Sequence, residues 1–105
     1  MEDPQDEVRH RSLDGKKGVF FIQHGDGERI AELAYTLAGK DAIVDHTYVD
    51  PRHRGGTLAR QLVDAAAAWA IRENHRIIPM CSYVRSVFDK NPDKYALVRG
   101  HHPSG

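Results

Sequence analysis

Residues 46–63 read HTYVDPRHRGGTLARQLV, and the fold turns on the point where the pattern of this stretch changes. Up to Val49 the side chains alternate as they do along a strand. From Leu58 onward the apolar positions Leu58, Leu62, Ala66 and Trp69 step by four, four and three, which marks one face of a helix. The alanines at 65–68 add strong helix formers, and Asn74-His75 end the run. Between strand and helix lies Arg54-Gly55-Gly56-Thr57-Leu58-Ala59. A helix start carries unpaired backbone N–H groups and a partial positive charge. Glycines beside it let the backbone approach a ligand and adopt the angles of an anion-binding nest. Arg54 adds a cation able to pair with a phosphate oxygen. Together these parts suit a pyrophosphate. The spacing alone is equally compatible with a plainer role, in which Gly55-Gly56 only turn the chain into the helix. The Lys-Ser/Thr pair of a P-loop is absent.

Working outward, Gly18 to Gln23 is rich in β-branched and aromatic residues and reads as a strand. Asp26-Gly27 is a hairpin signal. Arg29 to Leu37 alternates, with Ala31, Leu33, Tyr35 and Leu37 on one face and Glu32 and Thr36 on the other. Ala38-Gly39-Lys40-Asp41 is the next turn. Ala42 to Val49 is a further strand, placing Val44, His46 and Tyr48 on one face and Asp45, Thr47 and Val49 on the other. Only one of Asp45 and His46 can then serve a site there, unless a bulge shifts the parity. Val8 to Leu13 is a candidate edge strand. Downstream, Arg76 to Cys81 reads as a short buried strand with Pro79 at a bulge or at its end. Ser82 is positioned to cap a last helix over about Val84–Lys90, stopped by Asn91-Pro92. The expected class is α/β (α+β), an antiparallel meander followed by a long helix, a strand and a short helix.

The chain has 105 residues, 40% of them hydrophobic and 29% charged, which fits one domain over 1–105 with flexible ends at 1–7 and 99–105. Fifteen basic and fifteen acidic side chains cancel. That balance gives no electrostatic footprint for nucleic acid or an anionic membrane. No apolar run is long enough to span a bilayer. The first ten residues lack the apolar core of a secretory signal. The single cysteine, Cys81, forms no intrachain disulfide, and a reducing cytoplasm is the expected compartment. The seven histidines at 10, 24, 46, 53, 75, 101 and 102 show no paired helical spacing and lie near no cysteine pair, so no metal site is expected.

Taken together, HTYVDPRHRGGTLARQLV (46–63) and IIPMCSYVRSVFDKNP (77–92) resemble the GNAT superfamily of N-acetyltransferases, in its short single-domain branch. The resemblance covers roughly residues 18–98. It implies a mixed sheet that splays between the strands at 42–49 and 76–81, with acetyl-CoA in the opening. The pantetheine arm would pair with the backbone of Tyr48 and Val49, and the pyrophosphate would rest on Arg54, Gly55, Gly56, Thr57, Leu58 and Ala59. Thr57 stands where the superfamily signature has a glycine; its N–H can still donate to phosphate. The acceptor implied is an amine. The N-terminal helices that shape the acceptor pocket in longer relatives are missing, which leaves the amine side of the cleft open.

Amine attack on a thioester needs a base, a donor to the carbonyl oxygen and an acid for the departing thiolate. Histidine is the side chain suited to proton transfer near neutral pH, and His46 sits on a strand that would line the cleft; the bland role is a packed, hydrogen-bonded histidine. Cys81 could accept the acetyl group as a thiolate, or simply pack. Tyr83 could protonate the leaving thiolate, or serve as an aromatic contact at the helix start. Trp69 belongs to the core stripe. Arg85 and Lys90 could touch the adenosine phosphate or occupy an exposed helix face. Two functions therefore stand at this stage: acetyl transfer from acetyl-CoA to an amine, and non-catalytic acyl-CoA binding by a sensor or interaction module.

Overall fold

The computed structural model describes residues 7–100. Five strands, β1 (Arg9–Ser12), β2 (Lys17–Gln23), β3 (Arg29–Ala38), β4 (Asp41–Val49) and β5 (Arg76–Pro79), form one sheet in that order. The first four pair antiparallel and β5 joins β4 in parallel, so the sheet is mixed. Helix α1 (Leu58–Glu73) makes the crossover from β4 to β5, and α2 (Ser82–Lys90) follows β5. Asn74 ends α1 in the left-handed conformation, φ 61°, and its N–H returns to the Ala70 and Ile71 carbonyls.

Both helices contribute to one core. Leu58, Leu62, Ala66 and Trp69 are buried as the four-four-three stripe requires, packed with Phe20, Ile22, Leu33, Tyr35 and Val44 of the sheet. Val84, Val87 and Phe88 of α2 join Tyr95 and Val98 in the same cluster. At the β1 end, Trp69 meets Tyr35 with ring centroids 4.8 Å apart. His10 stacks on Phe20 at 4.1 Å and its Nε2 lies 2.6 Å from the Tyr35 hydroxyl. At the other end of α1, buried Tyr95 donates to Asp64 Oδ1 at 2.6 Å and accepts from Arg60 Nε at 2.9 Å. That network fastens α1 to the segment after α2.

Four expectations change. Alternation in β4 does not run through: a bulge between Ala34/Tyr35 of β3 and His46/Val44 of β4 leaves Asp45 without a partner. One extra residue inverts parity beyond it. Thr47 and Val49 therefore share the helix-facing side with Val44, opposite Leu33 and Ala31, while His46 and Tyr48 lie opposite Ala34 and Glu32 on the other face. Second, β5 ends at Pro79 and not Cys81, since a proline cannot donate to extend a ladder. Third, Cys81, not Ser82, is the residue at the N-cap of α2. Fourth, Arg99 and Gly100 are fixed: Arg99 bridges Ile77 of β5, the Gly100 N–H donates to the Ile77 carbonyl at 2.8 Å, and Arg99 pairs with Asp89 at 2.7 Å. The expected flexible stretches at 1–6 and 101–105 lie outside the described residues.

Gly18 sits beneath the Tyr35 ring, where an added Cβ would strike the phenol head on. Gly25 has open space around it and an ordinary backbone. Gly18→Ala should lower the unfolding free energy by roughly 1–3 kcal/mol, the usual cost of overpacking. Gly25→Ala should change it by less than about 0.5 kcal/mol. Urea denaturation of both variants checks this; an equal effect of the two would refute the steric assignment at Gly18.

Candidate functional site

The sheet opens at Val44. Its carbonyl accepts from Met80 N at 3.1 Å and from Cys81 N at 3.0 Å, and beyond that point β5 leaves while β4 continues to Val49. One edge of residues 45–49 is thereby left without a strand neighbour. The start of α1 faces this edge, and the two enclose a cleft of about 460 Å³. Thr47, Tyr48, Val49, Arg54, Gly55, Gly56, Leu58, Ala59 and Tyr83 line it, together with His53. The structure thus brings together every loop residue singled out from the sequence except Thr57, whose side chain turns away to accept from Gln61 Nε2 at 2.9 Å.

The loop is held from behind. Asp50 is buried and caps the 3₁₀ turn Pro51–His53: its Oδ1 accepts from Arg52 N at 2.8 Å and Arg52 Nε at 3.0 Å, and its Oδ2 from the guanidinium at 2.9 Å. The same guanidinium reaches Glu28 at 2.8 Å, tying the loop to the β2–β3 turn. Arg52's side-chain and backbone hydrogen bonds hold the Asp50 carboxyl far below the usual carboxylate range, against the opposing effect of burial. Gly55 follows at φ 89°, a value that only glycine adopts without strain. Thr57 has φ −109° and ψ 5°, a bridge conformation open to a β-branched residue. The missing second glycine is therefore no obstacle to the backbone path.

The helix start is electrically bare. No acidic side chain occupies the first turn of α1, and among the described residues the N–H groups of Gly55, Gly56 and Thr57 find no backbone acceptor. Those of Leu58, Ala59 and Arg60 belong to the first helical turn and have no intrahelical acceptor. His53 and Arg54 stand beside them. Arg54 Nε donates to the Val49 carbonyl at 2.9 Å, so the loop cation is latched to the open strand edge. An anion entering this cleft meets aligned N–H donors and a cation with no competing carboxylate.

The candidate catalytic residues divide between the two faces. Cys81 hydrogen-bonds the Thr47 hydroxyl at 3.3 Å, on the helix side of the sheet. Burial pushes its thiol up, but the Thr47 hydroxyl and the N–H groups of Val84, Tyr83 and Thr47 outweigh it and leave the thiol below its ordinary value. The helix N–H groups act without closing a full cap hydrogen bond. Arg85, a sequence neighbour able in principle to act on this thiol, instead donates to the Pro79 and Met80 carbonyls at 3.4 Å. His46 lies on the opposite face, its Nε2 3.6 Å from Glu32 Oε2, an ion-pair distance and not a hydrogen bond. Tyr83 lines the cleft, and burial pushes its phenol up, with Arg60 opposing and Asp64 adding. Sequence reasoning missed Thr47 and His53. The basic cluster before Gly55 could have pointed to His53; Thr47 needed the bulge.

Because the Asp50 carboxyl is depressed in the fold, it contributes stability that is complete above its unfolded pKa, near 4. That contribution disappears as pH falls and the folded carboxyl finally takes a proton. Asp50→Asn should be less stable than wild type at pH 7, by a margin that stays constant down to about pH 5 and narrows below about pH 4. Thermal unfolding across that range measures it; a gap that widened in acid would contradict the assignment.

With this geometry in place, comparison with known proteins is informative. Residues 19–98 match the family described as GCN5-related N-acetyl-transferase. Protein NATD1 of Danio rerio is 29% identical over 87 residues, spanning 82% of this chain and 79% of that protein. The solution structure of a GCN5-like protein from Staphylococcus aureus superposes with a TM-score of 0.71 at 23% identity, over 93% of this chain and 91% of the other. A Bacillus anthracis structure of streptothricin acetyltransferase type, in complex with acetyl coenzyme A, gives a TM-score of 0.51 at 17% identity, over 59% and 36%. Members of this family use acetyl-CoA, and acyl transfer from CoA to nitrogen is the activity common to it. The chain belongs to the GCN5-related N-acetyltransferase family.

Proposed function

We propose that this protein transfers an acetyl group from acetyl-CoA to an amine. One observation carries the reading: the open β4 edge at Thr47–Val49 faces an acid-free helix start across a single cleft. Such a cleft suits a ligand with an amide-bearing arm at one end and a pyrophosphate at the other. The arm pairs with the backbone of Tyr48 and Val49; the pyrophosphate takes the N–H groups of residues 55–59 and Arg54. Engaging the phosphate requires Arg54 to give up or share its bond to the Val49 carbonyl.

The chemistry follows from the division of faces. The amine nitrogen attacks the thioester carbonyl carbon from the face that carries His46. His46 takes the amine proton on Nδ1, because Nε2 is turned to Glu32, whose carboxylate stabilises the imidazolium that forms. The C–S bond breaks, and the CoA thiolate takes a proton from Tyr83, whose raised pKa keeps the phenol protonated at neutral pH. Cys81 sits behind Thr47, where a lowered thiol favours the thiolate needed for a covalent relay. Direct attack is the preferred route. Neither His46 nor Cys81 lines the cleft itself, but the Cys81 thiol is engaged with the Thr47 hydroxyl on the helix side, whereas His46 stands half-exposed on the open face from which an amine can arrive.

Two measurements test this. By calorimetry, Arg54→Ala should weaken CoA binding about tenfold, from the loss of a charged hydrogen bond. Thr57→Gly should stay within a few-fold of wild type, because the side chain turns away from the cleft. Equal affinity of wild type and Arg54→Ala would remove the loop from the site. In turnover with acetyl-CoA and pooled amines, His46→Ala should lose roughly 10²–10⁴-fold, the range for a general base. Cys81→Ala should keep partial activity, with no acetyl mass on the wild-type protein. An acetyl adduct on Cys81, and no transfer by Cys81→Ala, would establish the relay instead. Slow thioester hydrolysis with no amine-dependent turnover would point to an acyl-CoA-binding module.

A further inference from the structure

One face of the sheet is covered by neither α1 nor α2, and its side chains follow the strand register. Residues directly opposite on neighbouring strands share a face. Two rows therefore cross it: Arg11, Val19, Ala34 and His46, and Arg9, Phe21, Glu32 and Tyr48. The first row is apolar in the middle and polar at both ends; in the second, Phe21 stands between Arg9 and Glu32, with Tyr48 beyond. Val19 and Phe21 are buried although they stand outside the main core cluster, and the Arg29 guanidinium lies 4.2 Å over the Phe21 ring. Arginine stems cover such surfaces while their charged heads stay in water.

The two ends differ in sign. At the β1 end, Arg9, Arg11 and Lys17 are exposed. The ion pairs among the described residues involve none of the three. Toward the β4 end stand Glu32 of β3, one oxygen of which pairs with Arg29 at 3.1 Å, and Asp45, which accepts from the Thr36 hydroxyl at 3.0 Å, beside His46 and Tyr48. A groove of about 360 Å³ joins the two ends, with Arg11, Lys17, Glu32 and Asp45 in its lining. The β4 end is the edge where the acetyl cleft opens.

We infer that this face, which among the described residues neither helix covers, seats the acceptor, and that the acceptor is an extended acidic peptide segment with a carboxylate about four residues from its reactive amine. The inference rests on the transferase reading above. From β1 to β4 is three strand spacings, roughly 14 Å. An extended chain advances about 3.3–3.6 Å per residue, so about four residues cover the span. The amine is drawn toward Glu32 and Asp45 beside His46, and the carboxylate toward Arg9, Arg11 and Lys17. A lysine-rich segment would meet repulsion at the β1 end, and a short amine could not reach it.

The test uses the full chain, isotopically labelled and saturated with CoA. Three seven-residue serine/alanine peptides with a free N-terminal amine carry glutamate, glutamine or lysine at the fifth position. The glutamate peptide should shift the amide resonances of Arg9, Arg11, Val19, Ala34 and His46. It should bind roughly fivefold tighter than the glutamine peptide, with lysine weakest, and the difference should shrink at high salt. Arg9→Glu/Arg11→Glu should reverse the order. Equal affinity for the three peptides, or shifts confined to other surfaces, would overturn the proposal on the wild-type protein alone. Transfer is read separately with acetyl-CoA. The predicted binding order without acetylation of the bound peptide would sink the transferase reading and leave the peptide seat standing.

Discussion

The parting of β4 from β5 at Val44 is the constraint on which the rest of the structure depends. One carbonyl takes two donors, Met80 and Cys81, in place of a continuing ladder. Pro79 offers no N–H of its own, so the chain leaves the sheet and begins α2. The unpaired β4 edge is tolerable because it borders a cleft and not dry core. Buried backbone groups need partners, and Arg54 already supplies one to the Val49 carbonyl. Closing the sheet here would remove the cleft and separate the helix starts from the strand edge they face.

The bulge at Asp45 is the second half of the same design. Without it, Val44, His46 and Tyr48 would all turn toward the helices, and a half-exposed histidine would lie among buried aliphatic side chains. With it, Thr47 and Val49 complete the helix side, and His46 reaches Glu32 on the other. Asp45, the surplus residue, is exposed and takes the Thr36 hydroxyl. The consequence is a chemical separation. The Cys81 sulfur lies on one side of the strand edge, and the His46 imidazole and Glu32 carboxylate on the other.

Electrostatics hold the loop before α1 in shape. Asp50 is buried, yet its two oxygens are filled by Arg52, and Arg52 in turn binds Glu28. That chain of bonds consumes the acids near the loop. None remains in the first turn of α1 to neutralise its N–H groups, so the local field stays positive where an anion would enter. Preformed geometry of this kind avoids the ordering cost that a flexible loop would carry on binding.

What the sequence made legible was local in origin. The change of period between Val49 and Leu58, the end of α1 at Asn74-His75 and the glycine at the positive-φ position are each decided by a few adjacent residues, and each stands as expected. The glycine turn into α1 was legible for the same reason. The bulge was not, because β3 and β4 each alternate acceptably when read alone, and the surplus residue exists only in their pairing. The Asp50–Arg52–Glu28 staple spans more than twenty positions, and the Ile77–Arg99 bridge closes the sheet from beyond α2; neither leaves a periodic trace. Parity along one strand decides which side chain meets which, so a single unseen bulge shifts a proposed catalytic pair while leaving the binding loop intact. His46 and Cys81 illustrate this: His46 occupies its expected strand and Cys81 lies just past the end of β5 at the start of α2, and the two stand on opposite faces of β4. Register alone thus puts His46 beside Glu32 and Cys81 beside Thr47, on opposite sides of β4, whatever their individual acidities.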